Sequence, residues 1–546
     1  MSEASRPRRA ALVAVCLGAL GPAGAGAPLA AQSPEEAAAS ARPATRAERT
    51  GFAETSRHAD VVAFLDSLRI LRPGLDLRSF GYSERGRILP LVAFGTEPEK
   101  PLAALRDDPR LRVLVLANIH AGEVAGKEAA LVLARELAAG RRDGWLDSLV
   151  VLVAPIYNAD GNEEISLRSR PGQYGPIAGM GGRETALGLD LNRDNTKLDG
   201  AETRALARLL VEADPHVLID LHTTDGTVHA YHLTYAPPLH PSTDPAIVAE
   251  LRERWLPAAT KSVRDRYGWE IFHYGNVPGT FGMRGERGWY TFDHRPRFTT
   301  NWVGLRNRFG ILSEAYAYAS FEERILAHRR FVEALLDYAT AHAGRLRELT
   351  DRADESVGPG REVALRAEAL RGDTITVLLG EARREPNPFT GEPMLVRLDA
   401  RRPERMPDFT SFRPTETAEL PAAYLLAPGQ EEATERLRAQ GILLRELGAP
   451  ARLEVERFDV DSARTSEREY QNRRPRVLYG TWRREAVELP AGTIAVPTAQ
   501  PLGALAGLLL EPRSDDGLAA WAVLREGEDG AYPALRADRL PDGLGP

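Results

Sequence analysis

The sequence predicts an α/β fold with a mixed, largely parallel central sheet and helices on both of its faces, followed by a β-rich α+β accessory domain. Between residues 46 and 345, short apolar, β-branched runs typical of buried strands alternate with longer helix-forming segments. A join near 350–361, rich in Pro, Gly and Arg, leads to a second region over 351–546. The chain of 546 residues is also too long for one ordinary domain.

The first 31 residues have the charged, apolar, small-residue order of a secretory signal peptide. Their apolar stretch is shorter than the roughly 20 residues that span a bilayer, so we favour cleavage over a membrane anchor. Cleavage would remove the only cysteine, together with three arginines and one glutamate, and would change the net charge from −7 to −9. We therefore expect a secreted or periplasmic protein with a linker over 32–45, without a disulfide or a thiolate metal site.

In the first region, predicted strands and helices follow one another in an order typical of parallel sheets. The predicted strands are 111–119, 148–156, 216–221 and 309–315, and the predicted helices are 123–139, 201–213 and 321–341. No stretch after the predicted signal is long and apolar enough to span a membrane. The acidic net charge provides no basic footprint for nucleic acid.

The second region has patterns of secondary structure but no chemical motif. Strand-like alternation covers 362–400, a strand followed by a helix is predicted within 421–446, and a small helix is predicted over 503–510. We expect a β-rich accessory domain of unknown role over 351–546.

Two histidines and one glutamate lie at the ends of predicted strands. His120 comes directly after the strand 111–119, and Glu123 begins the helix that follows. His222 comes directly after the strand 216–221. Open α/β sheets bind ligands beyond the carboxyl ends of their strands, so these three side chains can converge. Two imidazoles and one carboxylate are typical of a catalytic zinc site, because they leave one coordination position open.

The residues around this triad resemble those of the carboxypeptidase A family of zinc carboxypeptidases. The similarity spans roughly 46–343, and the Asp-Leu-Asn-Arg segment with its upstream arginine is its most specific part. In the family's order, the matching segments are His120-Ala121-Gly122-Glu123, Asn158-Ala159-Asp160-Gly161, Gly182-Arg183, Gly188-Leu189-Asp190-Leu191-Asn192-Arg193, Asp220-Leu221-His222 and Ser313-Glu314. The resemblance implies a zinc carboxypeptidase-like fold and a zinc-dependent hydrolase with one zinc per chain, held by the triad.

The resemblance also implies roles for other residues. Asn192 and Arg193 would hold the free C-terminal carboxylate of a peptide substrate, a task that suits the planar fork of arginine. Arg183 would polarise the scissile carbonyl, although Arg168 and Arg170 in the same loop could replace it. Glu314 would be the general base that takes a proton from zinc-activated water.

Several positions depart from the family's pattern. Ala159 replaces the proline of a turn, and Asp194 stands where many members have asparagine. Members also have a tyrosine that closes over the substrate. Tyr290, 24 residues before Glu314, is the nearest candidate, whereas Tyr316 and Tyr318 are expected to pack within their strand.

The leading hypothesis is hydrolysis of C-terminal peptide bonds by a secreted zinc metallocarboxypeptidase. A carboxypeptidase-like amidase or deacylase that acts on acyl amino acids or cell-wall peptides would use the same metal site. An inactive binding homologue is a third alternative, but such a protein is expected to lose a ligand or the base, and all of these residues are present.

Overall fold

A computed structural model describes residues 43–524 and 530–545 of the chain. The predicted signal peptide, 1–31, and most of the predicted linker, 32–45, lie outside the described residues. Within the described part, no helix is both long enough and apolar enough to cross a bilayer.

The centre of the fold is an eight-stranded sheet with the strand order β1-β2-β4-β3-β5-β9-β6-β7. Its strands are β1 (Asp76–Tyr82), β2 (Ile88–Phe94), β3 (Leu111–Ala117), β4 (Leu149–Ala154), β5 (Val217–Thr224), β6 (Leu233–Ala236), β7 (Ile271–His273) and β9 (Phe309–Tyr316). The pairs β3–β4, β3–β5, β5–β9 and β6–β7 are parallel, whereas β1–β2, β2–β4 and β6–β9 are antiparallel. The predicted mixed, largely parallel sheet is thereby confirmed.

Helices cover both faces of this sheet. The helices are α1 (Arg46–Arg49), α2 (His58–Ser67), α3 (Val124–Ala138), α4 (Ala159–Glu163), α5 (Ala201–Glu212), α6 (Pro245–Ala249), α7 (Leu256–Tyr267), α8 (Thr299–Leu305), α9 (Phe321–Glu355), α10 (Glu431–Ala439) and α11 (Gly503–Leu510). Gly126 of α3 lies against Leu221 of β5, and Thr300 of α8 lies against Gly310 of β9. Gly310 pairs with Leu218 of β5, so α8 packs on the face of the sheet to which Leu218 points. Side chains alternate along a strand, so Leu218 and Leu221, three residues apart, point to opposite faces. Helices α3 and α8 therefore cover opposite faces of the sheet.

The C-terminal region is rich in strands, as predicted. Its strands are β10 (Glu362–Leu370), β11 (Thr374–Pro386), β12 (Pro393–Phe409), β13 (Ser411–Glu419), β14 (Ala423–Leu426), β15 (Arg445–Glu446), β16 (Ala451–Thr465), β17 (Arg476–Leu489), β18 (Ile494–Pro497) and β19 (Ala534–Ala537). They form a two-stranded sheet, β10-β13, a three-stranded sheet, β11-β12-β8, and a six-stranded sheet, β15-β18-β14-β19-β16-β17, where β8 is Trp289–Tyr290 of the first region.

The predicted division between 345 and 351 falls inside α9, which continues to Glu355. Residues from both sides of that division belong to one buried apolar cluster, and the described residues from 43 onwards form one compact unit. A separate catalytic domain over 46–345 and an accessory domain over 351–546 therefore stay predictions.

Candidate active site

The candidate site lies at the carboxyl ends of β3, β5 and β9. β5 and β9 are parallel neighbours in which His222 pairs with Glu314 and Asp220 pairs with Leu312. Because side chains two residues apart share a face, all four of these side chains lie on the same side of the sheet. The structure thus brings the third predicted metal ligand and the predicted base together.

The three predicted metal ligands converge as expected from their positions. Their candidate donor atoms all lie within 4.8 Å of one another, and all three residues are buried. The Nδ1 atoms of His120 and His222 each lie 2.9 Å from a different carboxylate oxygen of Glu123. Two imidazoles and one carboxylate at these separations fit a catalytic zinc ion, which takes three protein ligands and keeps one position for water or substrate.

Two further carboxylates lie behind the histidines. Asp190 Oδ1 is 3.1 Å from Nε2 of His120, and Asp220 Oδ2 is 2.9 Å from Nε2 of His222. A carboxylate beside the second ring nitrogen fixes the tautomer and orientation of a metal-binding histidine. Sequence reasoning assigned no role to Asp190 or Asp220, although both lie in the segments that carried the resemblance.

The cluster shifts the pKa values of its own acids. Burial raises the pKa of Glu123, but the nearby His120, Arg170 and His222 outweigh burial and hold this pKa well below its usual range. Burial and the neighbouring carboxylates raise the pKa of Glu314 to about 8, even though His222 acts in the opposite direction. Glu123 is thus kept anionic, which is the form in which a carboxylate binds a metal ion.

These residues line a cavity of about 520 Å³ together with the predicted substrate-binding residues. The lining residues are His120, Glu123, Arg170, Arg183, Asn192, Arg193, Asp220, His222, Thr223, Thr224, Asp225, Tyr274, Phe292, Phe298, Thr300, Leu312 and Glu314. The cavity therefore combines the three predicted metal ligands, three arginines and an apolar wall in one space large enough for a small ligand.

The predicted carboxylate-binding pair is held rigidly. The guanidinium carbon of Arg193 lies 3.8 Å from the ring centroid of Phe298, and its Nη1 donates to the carbonyl of Asn192 at 2.7 Å. The side-chain oxygen of Asn192 accepts from the backbone N–H of Thr299 at 2.8 Å. Because that oxygen is engaged, the amide nitrogen is the end of Asn192 left for a ligand.

Two arginines lie close to the predicted metal ligands. Arg183 Nε donates to Asp190 Oδ2 at 2.8 Å, and its Nη1 is 3.4 Å from Nδ1 of His120. Arg170 Nη2 donates to Glu123 Oε1 at 2.6 Å. Of the arginines that could replace Arg183, Arg170 therefore lies in the cavity, whereas Arg168 does not line it.

Tyr290 is not brought to the cavity. It belongs to β8, which pairs with β12, and its ring stacks on Phe409 with the centroids 4.1 Å apart. Tyr274 lines the cavity instead, and burial raises the pKa of its hydroxyl. The structure thus gives Tyr290 no contact with the other predicted site residues.

The other histidines and tyrosines near the strand ends pack within the fold. His229 stacks on Tyr316 at 4.0 Å between centroids, and His232 stacks on Trp269 at 4.3 Å. Neither histidine lines the cavity. Tyr316, the last residue of β9, and Tyr318, two residues beyond it, are both buried, in line with their predicted packing role.

Comparison with known proteins agrees with this geometry. The model of the zinc carboxypeptidase family matches residues 61–295, which include all three predicted metal ligands. The chain contains a zinc carboxypeptidase domain. It is a zinc-dependent metallocarboxypeptidase, and its relatives include "Carboxypeptidase 2" of Trichophyton tonsurans, which is 27% identical over 84% of this chain and 81% of the relative.

More distant similarities cover smaller parts of the chain. "Carboxypeptidase D" of Rattus norvegicus is 35% identical over 22% of this zinc carboxypeptidase and 10% of its own length. A solved metallo-carboxypeptidase from Burkholderia cenocepacia is 17% identical, with a TM-score of 0.39, over 52% of this chain and 70% of that chain. Glu314 lies beyond the end of the segment 61–295 that the family model matches.

Proposed function

We propose that this chain hydrolyses the C-terminal peptide bond of peptides, with one zinc ion held by His120, Glu123 and His222. The observation that carries the proposal is one cavity that holds this triad, the pair Asn192 and Arg193, and Glu314. Zinc, when bound, supplies a Lewis acid to the reaction.

Arg193 and Asn192 bind the substrate's terminal carboxylate in this proposal. The guanidinium fork can donate two parallel hydrogen bonds to a carboxylate, and stacking on Phe298 fixes its plane. The three residues of the apolar and aromatic wall, Phe292, Phe298 and Leu312, then surround the terminal side chain.

Glu314 acts as the general base. Its Oε2 is buried without a hydrogen-bond partner among the described residues, so this oxygen can accept a proton from the attacking water. The same oxygen returns the proton to the leaving amine when the C–N bond breaks. Arg183 donates to the carbonyl oxygen as negative charge develops there, and Arg170 is the second arginine within reach.

Glu314→Gln tests the base without changing its size. The variant should keep one zinc per chain by elemental analysis and lose hydrolysis of a blocked dipeptide with a free C-terminal carboxylate. A variant that retains activity would show that Glu314 is not the base. A variant that loses zinc would instead show that this residue supports the metal site.

A second pair of substrates separates the proposal from an amidase or deacylase. An exopeptidase that uses Arg193 should cleave the free acid far faster than the matching C-terminal amide, because only the acid can pair with the guanidinium. Equal rates on both substrates would favour the amidase or deacylase.

We further propose that the protein is exported and that cleavage occurs near residue 31. Support comes from the charge and apolar order of the first 31 residues. Mass spectrometry of the protein recovered outside the cytoplasm should find an N-terminus close to Gln32, and an intact Met1 would contradict cleavage.

A further inference from the structure

The loop that carries the carboxylate-binding pair contains little regular structure of its own. Within 183–199, the one helical turn is the 3-10 turn Leu191–Arg193. Asp190 organises this loop, because its side chain contacts His120 and Arg183 and accepts from the N–H of Asn192 at 2.9 Å. The position of the Asp190 main chain therefore affects both the predicted metal ligand His120 and the predicted substrate-binding residue Asn192.

The tip of a hairpin from the C-terminal region contacts this loop. Between β16 and β17, the chain reverses at Tyr470–Arg473. Tyr470 and Arg473, the outer residues of this turn, exchange backbone hydrogen bonds of 2.7 and 3.2 Å. Gln471 Oε1 accepts from the backbone N–H of Asp190 at 2.8 Å, and Asn472 Nδ2 donates to the carbonyl of Leu187 at 3.0 Å. Both central residues of the turn thus bind the loop 183–199.

The turn is unfavourable for the residue at its first central position. Gln471 and Asn472 have φ values of 53° and 60°. These values lie in the left-handed region, where common two-residue hairpin turns place their central residues. Asparagine tolerates this region, but glutamine does not favour it. Strained residues persist where the surrounding structure fixes them, and they cluster at functional sites.

A set of charged and aromatic contacts fixes the tip against the far end of the same loop. Arg473 donates to both carboxylate oxygens of Asp199 at 2.7 Å each and to the carbonyl of Trp521 at 3.2 Å. Tyr470 stacks on Trp521 with the ring centroids 6.1 Å apart. The turn is therefore attached to the loop near its middle, at Asp190, and at its end, at Asp199.

We propose that Gln471 is a positioning residue of the active site, which fixes the Asp190 main chain and so orients His120, Arg183 and Asn192. This assigns a role in catalysis to the C-terminal region, whose hairpin completes the loop that binds the substrate. The proposal rests on the proposed function for the roles of Asn192 and Arg193.

Gln471→Gly separates positioning from folding. Glycine relaxes the left-handed turn, so the urea midpoint of the variant should equal or exceed that of the wild type. The acceptor for the Asp190 N–H is lost, so kcat/KM on the free-acid dipeptide should fall about 3- to 10-fold, mainly through KM, as expected for one lost hydrogen bond. Gln471→Glu keeps an acceptor oxygen at the same reach and should restore kcat/KM to within about twofold of the wild type.

Hydrogen exchange tests the same contact without an activity assay. In Gln471→Gly, a peptide that contains the Asp190 amide should exchange faster, while a peptide from β5 should be unchanged. Wild-type kinetics and exchange in Gln471→Gly would overturn the proposal, as would failure of Gln471→Glu to restore kcat/KM. A wild-type enzyme that does not prefer free-acid peptides would instead overturn the proposed function, while the exchange result would still decide the contact.

Discussion

Gly126 allows helix α3 to approach strand β5 closely enough to bring two of the proposed metal ligands together. A Cβ at this position would lie 2.7 Å from the Cβ and 2.9 Å from the carbonyl oxygen of Leu221. Carbon atoms prefer separations of about 3.5–4.0 Å, so in Gly126→Ala the helix or the strand must move by roughly 1 Å. Glu123 precedes α3 and His222 follows Leu221, so this movement separates the two ligands.

Gly344→Ala is the matched control, because Gly344 is an exposed glycine in α9 and a Cβ there meets no atom within 4 Å. Both substitutions replace a helical glycine with alanine, which helix propensity favours by up to about 1 kcal/mol, so their difference reports mainly the effect of crowding. Overpacking in a dense interior costs about 1–3 kcal/mol. We therefore expect Gly126→Ala to have a free energy of unfolding lower than that of Gly344→Ala by about this amount.

Urea unfolding followed by tryptophan fluorescence, with chelator present, measures the stability of both variants. Competition with a chromogenic chelator measures their zinc affinity, which should fall in Gly126→Ala and stay at the wild-type value in Gly344→Ala. If Gly126→Ala proves as stable as Gly344→Ala and binds zinc normally, close packing of α3 on β5 does not set the geometry of the metal ligands.

Three other perturbations have defined expectations. Arg193→Ala should lower kcat/KM for a free-acid peptide about 10- to 100-fold, as for lost charge-assisted hydrogen bonds, and should leave the matching amide nearly unaffected; an equal loss on both substrates would contradict the clamp. Asp220→Asn should weaken zinc binding about 10- to 100-fold in chelator competition, because its carboxylate lies 2.9 Å from Nε2 of His222; an unchanged affinity would show that this contact does not orient the ligand. Burial raises the pKa of Glu202 from 4.5 to about 7, so its contribution to stability is present below pH 4.5 and is lost as the pH rises towards 7. The wild type should therefore lose about 3 kcal/mol relative to Glu202→Gln between pH 4.5 and 8 in urea titrations, and parallel pH profiles would contradict the shift.

The central strands could be predicted from the sequence because both of their faces are buried. β3 and β4 are buried at every position, so β4 is a continuous apolar run and β3 is interrupted only by Arg112. The edge strand β1 is partly exposed, and β7 has three residues, so neither has a pattern that separates it from a loop. The predicted end of α9 at residue 341 coincides with His342, whose φ of −127° interrupts the helix before it continues to Glu355.

The local parts of the site could also be predicted, whereas the non-local parts could not. His120 and Glu123 are separated by one turn of chain, so their spacing is visible in the sequence. The position of Tyr290 depends on the pairing of β8 with β12, more than a hundred residues later in the chain. Gln471 lies 281 residues from its partner Asp190, and no local pattern links the two.

The electrostatics of the cavity favour a cation at the predicted metal site. Burial and the negative charges of Glu123 and Asp220 together raise the pKa of Glu314 to about 8. An arrangement of buried like charges costs stability unless opposite charge compensates it. Arg170 lies 2.6 Å from Glu123 and lowers the pKa of both Glu123 and Glu314, and His222 acts on both in the same direction. A divalent ion at the triad would add positive charge beside these carboxylates. Zinc binding should therefore raise the free energy of unfolding of the protein.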